Sequence, residues 1–139
     1  METQKNYLVD GKYLFRELVD IDQLRDKFES FSKATGFTTG LVSYPDQELL
    51  ICTGWRDICT KFHRACPASE IHCKQSNIEL TSSLKERMEL NIRPCENGLV
   101  DGATPIIIKG AHVANLCTGQ ILFEEPDIDR FRKQGETYG

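Results

Sequence analysis

Apolar residues divide the chain into a helical first segment, a pair of strands, a helical middle and a strand-rich last third. Between residues 13 and 35 they recur at steps of three and four, which predicts an amphipathic helix, at the latest from Asp20 onward. Asp20 or Asp22 suits the N-cap of this helix, and Gly36 suits its C-terminal end. One face of the helix is expected to pack on a sheet or against a second copy of the chain.

The pattern that follows is typical of β-strands. Two strands are predicted on either side of the turn sequence Pro45-Asp46-Gln47, over residues 37–44 and 48–53. Between residues 55 and 88 the pattern is helical again, and Pro67 suits the first turn of a second helix within it. The remaining elements are a short strand, two longer strands and the start of a last helix, predicted over residues 89–93, 99–108, 113–123 and 127–133.

This order of elements indicates an α+β domain. The early and late strands would form an antiparallel sheet of about five strands, with helices inserted after the second strand and flanking N- and C-terminal helices. That layout resembles the PAS-like and GAF-like sensory folds. Because 139 residues suffice for one domain with a sizeable core, a single sensory domain is expected over residues 1–139, with its core over about 12–135.

Charge and hydropathy indicate which binding partners and which cellular compartment are expected for the chain. The net charge of −4 includes no basic stripe, so direct nucleic-acid binding by this chain is not expected. No apolar run reaches the roughly 18 residues of a membrane helix, and the N-terminus lacks the basic and apolar segments of a secretory signal. A cytoplasmic protein without a membrane span is therefore expected, and in that compartment its six cysteines stay reduced.

Four of the cysteines recur every seven residues, at Cys52, Cys59, Cys66 and Cys73. An unbroken helix would place them on one face, but Cys52 lies in a strand pattern and a proline follows Cys66. The simplest interpretation is that cysteine serves here as a small, buried apolar residue. That interpretation fits Cys52 and Cys117 best, because both alternate with apolar neighbours in predicted strands.

A second interpretation is a metal or iron–sulfur site rich in thiolates. Its ligands would be Cys59, Cys66, Cys73 and Cys95, with His63 four residues after Cys59 as another candidate. Against it, the sequence has no CxxC pair of the kind found in structural zinc sites. Cys95 lies in a loop before a buried strand, where lining a pocket or binding a ligand is as reasonable as a structural role.

Residues near these cysteines suggest a small-molecule pocket. Trp55, Ile58 and Phe62 could supply an apolar wall at the start of the helical middle. Gln120 lies in an apolar strand, and a buried amide without a partner costs about 1–3 kcal/mol, so a ligand or backbone group must pair with it. Asp101 also requires a partner if it is buried, because its carboxylate carries a charge.

Catalysis has weaker support in the sequence. Cysteine, histidine and aspartate are all present, but no local signature links them as nucleophile, base and orienting acid. Phosphate-binding and dinucleotide-binding glycine patterns are missing. A thiol enzyme therefore stays a secondary alternative.

Three segments resemble the PocR-type sensory domain of prokaryotic signalling proteins, over roughly residues 12–135. They are LFRELVDIDQLRDKFESFSKATG, GWRDICTKFHRACPASEIHCKQSN and RPCENGLVDGATPIIIKG, the last continuing into NLCTGQ. The resemblance implies a PAS-like ligand-binding domain for small hydrocarbon derivatives such as short alcohols and diols. By motif, Cys59, Cys73 and Cys95 match the family's recurrent cysteines, and Gln120 matches its Gly-Gln pair.

The expected function is therefore that of a cytoplasmic, non-enzymatic sensor domain that forms homodimers through the helix at residues 14–31. Family members usually continue beyond the last helix, so the chain is expected to be a domain cut from a longer histidine kinase or transcription regulator. A metal, iron–sulfur or redox sensor is the first alternative. The expected ligand-binding residues are Trp55, Ile58, Cys59, Phe62, Cys73, Cys95 and Gln120.

Overall fold

The computed structural model describes residues 7–82, 84 and 90–139. Within them, a five-stranded antiparallel sheet is combined with α-helices and one π-helix. The helices are α1 (Phe15–Leu18), α2 (Ile21–Thr35), the π-helix (Ile58–His63), α3 (Pro67–Ser82) and α4 (Ile128–Tyr138). The strands are β1 (Thr39–Ser43), β2 (Leu49–Thr53), β3 (Asn91–Pro94), β4 (Val100–Ile108) and β5 (Ala111–Ile121).

The strands lie in the order β2-β1-β5-β4-β3, so β1 and β5, from opposite ends of the chain, pair at the centre. The π-helix and α3 are inserted between β2 at one edge and β3 at the other. This arrangement confirms the predicted α+β, PAS-like fold. Residue 89 of the predicted strand 89–93, and residues 83 and 85–88 of the predicted helical middle, lie outside the described residues.

Helix α2 begins and ends at residues that the sequence identified. The Asp20 carboxylate accepts a hydrogen bond from the Gln23 amide at 3.1 Å, which makes Asp20 the N-cap. At the other end, Gly36 adopts a left-handed conformation with φ of 76°, and its amide donates to the Ser32 carbonyl. An extended Val19 separates α2 from the short α1, so the helical pattern over residues 13–35 forms two helices.

One face of the sheet packs against the N-terminal helices. Leu41 is opposite both Ile51 and Leu116, so all three side chains project to this face. Leu41 and Ile51 are buried, and Leu24 and Phe28 of α2 pack against their cluster. Full burial of one such side chain contributes roughly 1.5–3 kcal/mol. Among the described residues, this face carries the larger cluster of buried apolar side chains.

The other face of the sheet is covered by α3. Leu80 packs there with Leu84 and Ala103, and Cys117 completes the cluster. The β-strands present small residues on this side, including Gly40 opposite Cys117. In the part of the chain that the structure describes, no helix combines the length and apolarity needed to span a bilayer.

Candidate functional site

A cavity of about 390 Å³ lies between the sheet and the elements that follow β2. Alternate residues along β1, among them Gly40 and Val42, form part of its floor. The π-helix, α3 and the loop between β3 and β4 form the walls. Of the residues predicted to bind a ligand, the structure brings five to this cavity: Trp55, Cys59, Cys73, Cys95 and Gln120.

Trp55 is fixed in place at the entrance to the helical segment. Its indole Nε1 donates a hydrogen bond to the Thr39 carbonyl at 2.9 Å, which ties the ring to β1. Its Cζ2 atom lies near Gly40, where an added Cβ would be 3.7 Å from it, an ordinary contact. On the other side, the Arg64 guanidinium carbon lies 4.8 Å from the centre of the ring. The indole therefore forms a fixed apolar wall of the cavity and makes a cation–π contact with the Arg64 guanidinium.

Four thiols line the cavity, and their environment keeps them protonated. Burial, reinforced by the charge of Asp101 and the neighbouring thiols Cys95 and Cys73, raises the pKa of Cys59 to about 12. Burial and then the charge of Asp101 raise the pKa of Cys117 to about 12 as well. Burial is also the main cause that raises the pKa of Cys73 and of Cys95. These groups face the cavity as neutral thiols, not as the thiolates that act as nucleophiles.

Two polar residues at the end of the sheet are held mainly by the protein itself. Asp101 accepts a hydrogen bond from the Gln120 backbone amide at 3.0 Å, and burial raises the pKa of its carboxyl group. The Gln120 side-chain oxygen accepts from the Arg56 backbone amide at 2.5 Å. The side-chain oxygen of Gln120 therefore connects β5 to the segment before the π-helix, and the backbone of Arg56 is the partner that the amide requires.

A hydrogen-bonded group joins the cavity to the C-terminal helix. His63 is 1% exposed, and its Nε2 lies 2.8 Å from the Gln134 side-chain oxygen on α4, so the ring is the donor. Gln134 Nε2 donates to the Asn97 carbonyl at 2.8 Å. Asn97 in turn donates through Nδ2 to the Ser69 carbonyl and to the sulfur of Cys73. His63, Asn97 and Cys73 line the cavity. A ligand in contact with any of them would therefore be connected to α4 through one or two hydrogen bonds within the protein.

Two predicted residues lie outside the cavity lining. Cys59 and His63 occupy the buried side of the π-helix, while Ile58 and Phe62 lie on the adjacent side. Phe62 instead packs beside His63 and Tyr138, with ring centres 5.1 and 6.5 Å apart. The predicted helix face is therefore displaced by one residue.

The proposed set of metal ligands is not assembled in the described residues. There, no group of three or more His, Cys, Asp or Glu side chains is arranged to hold a metal ion. Cys59, Cys73, Cys95 and His63 do line one cavity, but Cys66 does not. All six cysteines are free thiols.

Sequence reasoning missed most polar residues of the lining, among them Arg64 and Asn97. Asn97 had a detectable signal, since it lies in the Cys95-Glu96-Asn97-Gly98 turn that leads into β4. Arg64 had none beyond its position next to His63.

Fold and cavity together define a PAS-like ligand-binding domain. A family model described as the sensory domain found in PocR matches residues 17–139, nearly the whole chain. The chain belongs to this family of sensory domains of signalling proteins. No curated protein and no solved structure matches it.

Proposed function

We propose that this chain is a cytoplasmic, non-enzymatic sensor domain that binds a small hydrocarbon derivative, such as a short alcohol or diol. The observation that carries the proposal is the cavity between the sheet and the π-helix and α3. Its volume of about 390 Å³ falls within the range of about 300–1,000 Å³ typical of small-molecule sites. Membership of the PocR sensory family supports a sensing role.

The chemistry of the lining suits a ligand with one polar end. Trp55 and Leu99 supply apolar surface, and the thiols of Cys59, Cys73 and Cys95 are neutral and weakly polar. Gln120 keeps its side-chain oxygen on Arg56, so only its Nε2 group is left to donate to a ligand. Six free thiols are the state expected in a reducing compartment, which supports the cytoplasmic assignment.

The signal would pass through the terminal helices. A ligand that contacts His63 or Asn97 changes the groups that hold Gln134, and so biases the position of α4. The output module, a kinase or a transcription regulator in a longer protein, would respond to that helix.

The proposed macromolecular partner is a second copy of the chain. Phe31 on α2 and Phe37 just after it are 49% and 51% exposed, while Leu24 and Phe28 on the same helix pack on the sheet. Two exposed aromatic rings close together in sequence suit a homodimer contact through the N-terminal helix. Sedimentation equilibrium of the wild type and of a Phe31→Glu variant measures dimerisation. A wild type that is monomeric at all concentrations would contradict the proposed homodimer.

The first test is a thermal melt of the purified domain against short alcohols, diols and carboxylates, with a chelator in a parallel sample. A ligand at about 100 times its dissociation constant adds about 2.7 kcal/mol to the free energy of unfolding. For a domain of this size the melting temperature rises by several degrees. A selective rise with one compound of this panel is the expected result.

Other outcomes of the same melt favour the two alternatives. A loss of stability with chelator, and no response to any organic compound, would favour a metal or redox sensor. The thiol-enzyme alternative is tested with iodoacetamide at neutral pH, because a catalytic thiolate reacts far faster than a buried neutral thiol. With the pKa of Cys59 raised to about 12, slow alkylation of Cys59 is expected.

A further inference from the structure

Arg64 differs from the other arginines in its partners. Arg87 lies outside the described residues, and six of the remaining seven arginines donate a hydrogen bond from the guanidinium to a carboxylate or a carbonyl. Among the described residues, the Arg64 guanidinium takes part in no such bond and in no ion pair. It lines the cavity and is partly buried, and its guanidinium carbon lies over the Trp55 ring.

The charge of Arg64 has no direct counter-ion within the described lining. A guanidinium is a permanent cation with five donors, and leaving it without acceptors at a partly buried position is unfavourable. Asp101 lies close enough for the charge of Arg64 to lower its pKa, yet the two form no ion pair within 4 Å. The cation Lys74 is already paired with Glu70 at 3.3 Å.

The contact with Trp55 also leaves Arg64 able to bind a particular acceptor. Its guanidinium carbon lies over the indole, 4.8 Å from the ring centre, and a guanidinium can donate two parallel N–H bonds that match the two oxygens of a carboxylate. An alcohol offers one oxygen and no charge, so it would leave the cation uncompensated. The lining therefore fits an anionic ligand better than a neutral one.

We propose that Arg64 is a ligand-recognition residue and that the ligand of this sensor is a short-chain carboxylate, bound through its carboxylate group. This inference rests on the proposed small-molecule function and names the polar end of the ligand. The hydrocarbon end would lie over Trp55 toward Val42 and Leu99.

The test compares matched acids and alcohols on the intact domain. Thermal melts and isothermal titration would use lactate against propane-1,2-diol and propanoate against propan-1-ol, with sodium chloride as the ionic-strength control. The acid is expected to raise the melting temperature and its matched alcohol to do so much less. In Arg64→Met, affinity for the acid is expected to fall about tenfold to a hundredfold, the usual effect of losing a charged hydrogen bond.

Two further variants separate recognition from folding. Arg64→Lys keeps a charge without the two-pronged edge, and is expected to retain part of the affinity. Arg132→Met removes an arginine that pairs with Asp129 on exposed α4, and is expected to bind the acid as the wild type does. Far-UV circular dichroism of each variant checks that it is folded.

The remaining outcomes contradict the inference in distinguishable ways. Binding of the diol without the acid, or acid binding that is unchanged in Arg64→Met, would overturn the role of Arg64 and leave the sensor proposal standing. No response of the wild type to any acid or alcohol of this size would overturn both proposals.

Discussion

Gly119 lies where two strands leave no space for a side chain. The Thr38 hydroxyl donates to the Gly119 carbonyl at 3.0 Å and accepts from its amide at 2.9 Å, which fixes the backbone. A Cβ atom at this position would collide with the carboxylate of Asp101. Because Asp101 also accepts a hydrogen bond from Gln120, it cannot move away without breaking that bond.

Gly119→Ala is therefore expected to destabilise the domain by about 1–3 kcal/mol, as overpacked core substitutions do. Urea unfolding followed by circular dichroism measures the loss. Gly135→Ala is the matched control, since a Cβ there meets nothing within 4 Å. In the exposed helix α4 this change is expected to be neutral or to stabilise by up to about 1 kcal/mol. Equal stability of the two variants would contradict the packing argument.

At the scale of residues, the sequence showed which side chains require a hydrogen-bond partner, but it did not show which residue provides that partner. It identified Gln120 as an amide that must be paired, but the partner is the Arg56 backbone, 64 residues away in sequence. It did not distinguish Arg64 from the other arginines, because a missing ion pair is a property of three-dimensional surroundings. Local chemistry is visible in a sequence, whereas the absence of a neighbour is not.

Among the elements, the π-helix determines which side chains enter the cavity. An α-helix advances about 100° per residue, so residues five apart point about 140° away from each other. The wider winding of a π-helix brings them closer, and the Arg64 amide bonds to the Cys59 carbonyl at 2.9 Å. Cys59 and Arg64 therefore line the same cavity, a result that helical periodicity in the sequence could not predict.

Helix α4 depends on polar contacts for its position. It has no buried residue, and Gln134 connects it to His63 and to Asn97. A second contact is the bond from Arg130 to the Glu96 carbonyl at 2.9 Å. An element held in this way opens at low free-energy cost, which agrees with the signalling role that we propose for α4.

Gln134→Ala is expected to speed amide hydrogen exchange in α4 about thirtyfold, because it removes two hydrogen bonds of about 1 kcal/mol each. Hydrogen exchange with mass spectrometry measures it, with the sheet as internal reference. Lys133→Ala, at the exposed neighbouring position, is the control and should leave exchange unchanged. The same acceleration in both variants would mean that Gln134 does not hold the helix.

Most elements could be predicted because their patterns are strong. Strands β4 and β5 were expected over residues 99–108 and 113–123 and are found at Val100–Ile108 and Ala111–Ile121. The start of β5 differs because Ala111 pairs with Ile108 across a two-residue turn, and the register of such a hairpin depends on the turn. Element type thus follows from periodicity, while boundaries follow from pairing.

For the whole molecule, the sheet separates two environments. One face carries the closely packed core under α2, and the other carries the cavity under α3. The sequence predicted a pocket between sheet and helices because cysteines and aromatic residues clustered in two segments. The polar character of that pocket comes from residues of the π-helix, α3, β4, β5 and several loops, so no single segment of the sequence displays it.

The buried thiols make the stability of the molecule depend on pH. The pKa of Cys117 is raised from an ordinary value of 9.0 to about 12, because burial disfavours its thiolate. Because this pKa is raised in the folded domain, the neutral Cys117 thiol makes its full contribution to the free energy of unfolding below pH 9.0. That contribution is lost as the pH rises toward 12. Across that interval the thiol ionises in the unfolded chain and stays neutral in the folded domain.

The free energy of unfolding is therefore expected to fall above about pH 9 by up to about 1.4 kcal/mol per pH unit for each such thiol. Cys117→Ala should make this decline less steep between about pH 9 and pH 11, even if the variant is less stable overall. Cys52→Ala is the control, because Cys52 is exposed on β2 and its removal should leave the slope as in the wild type. Urea unfolding at a series of pH values measures all three proteins. A slope that is identical in Cys117→Ala and the wild type would mean that this thiol ionises as readily in the folded domain as in the unfolded chain, and that the cavity is open to water.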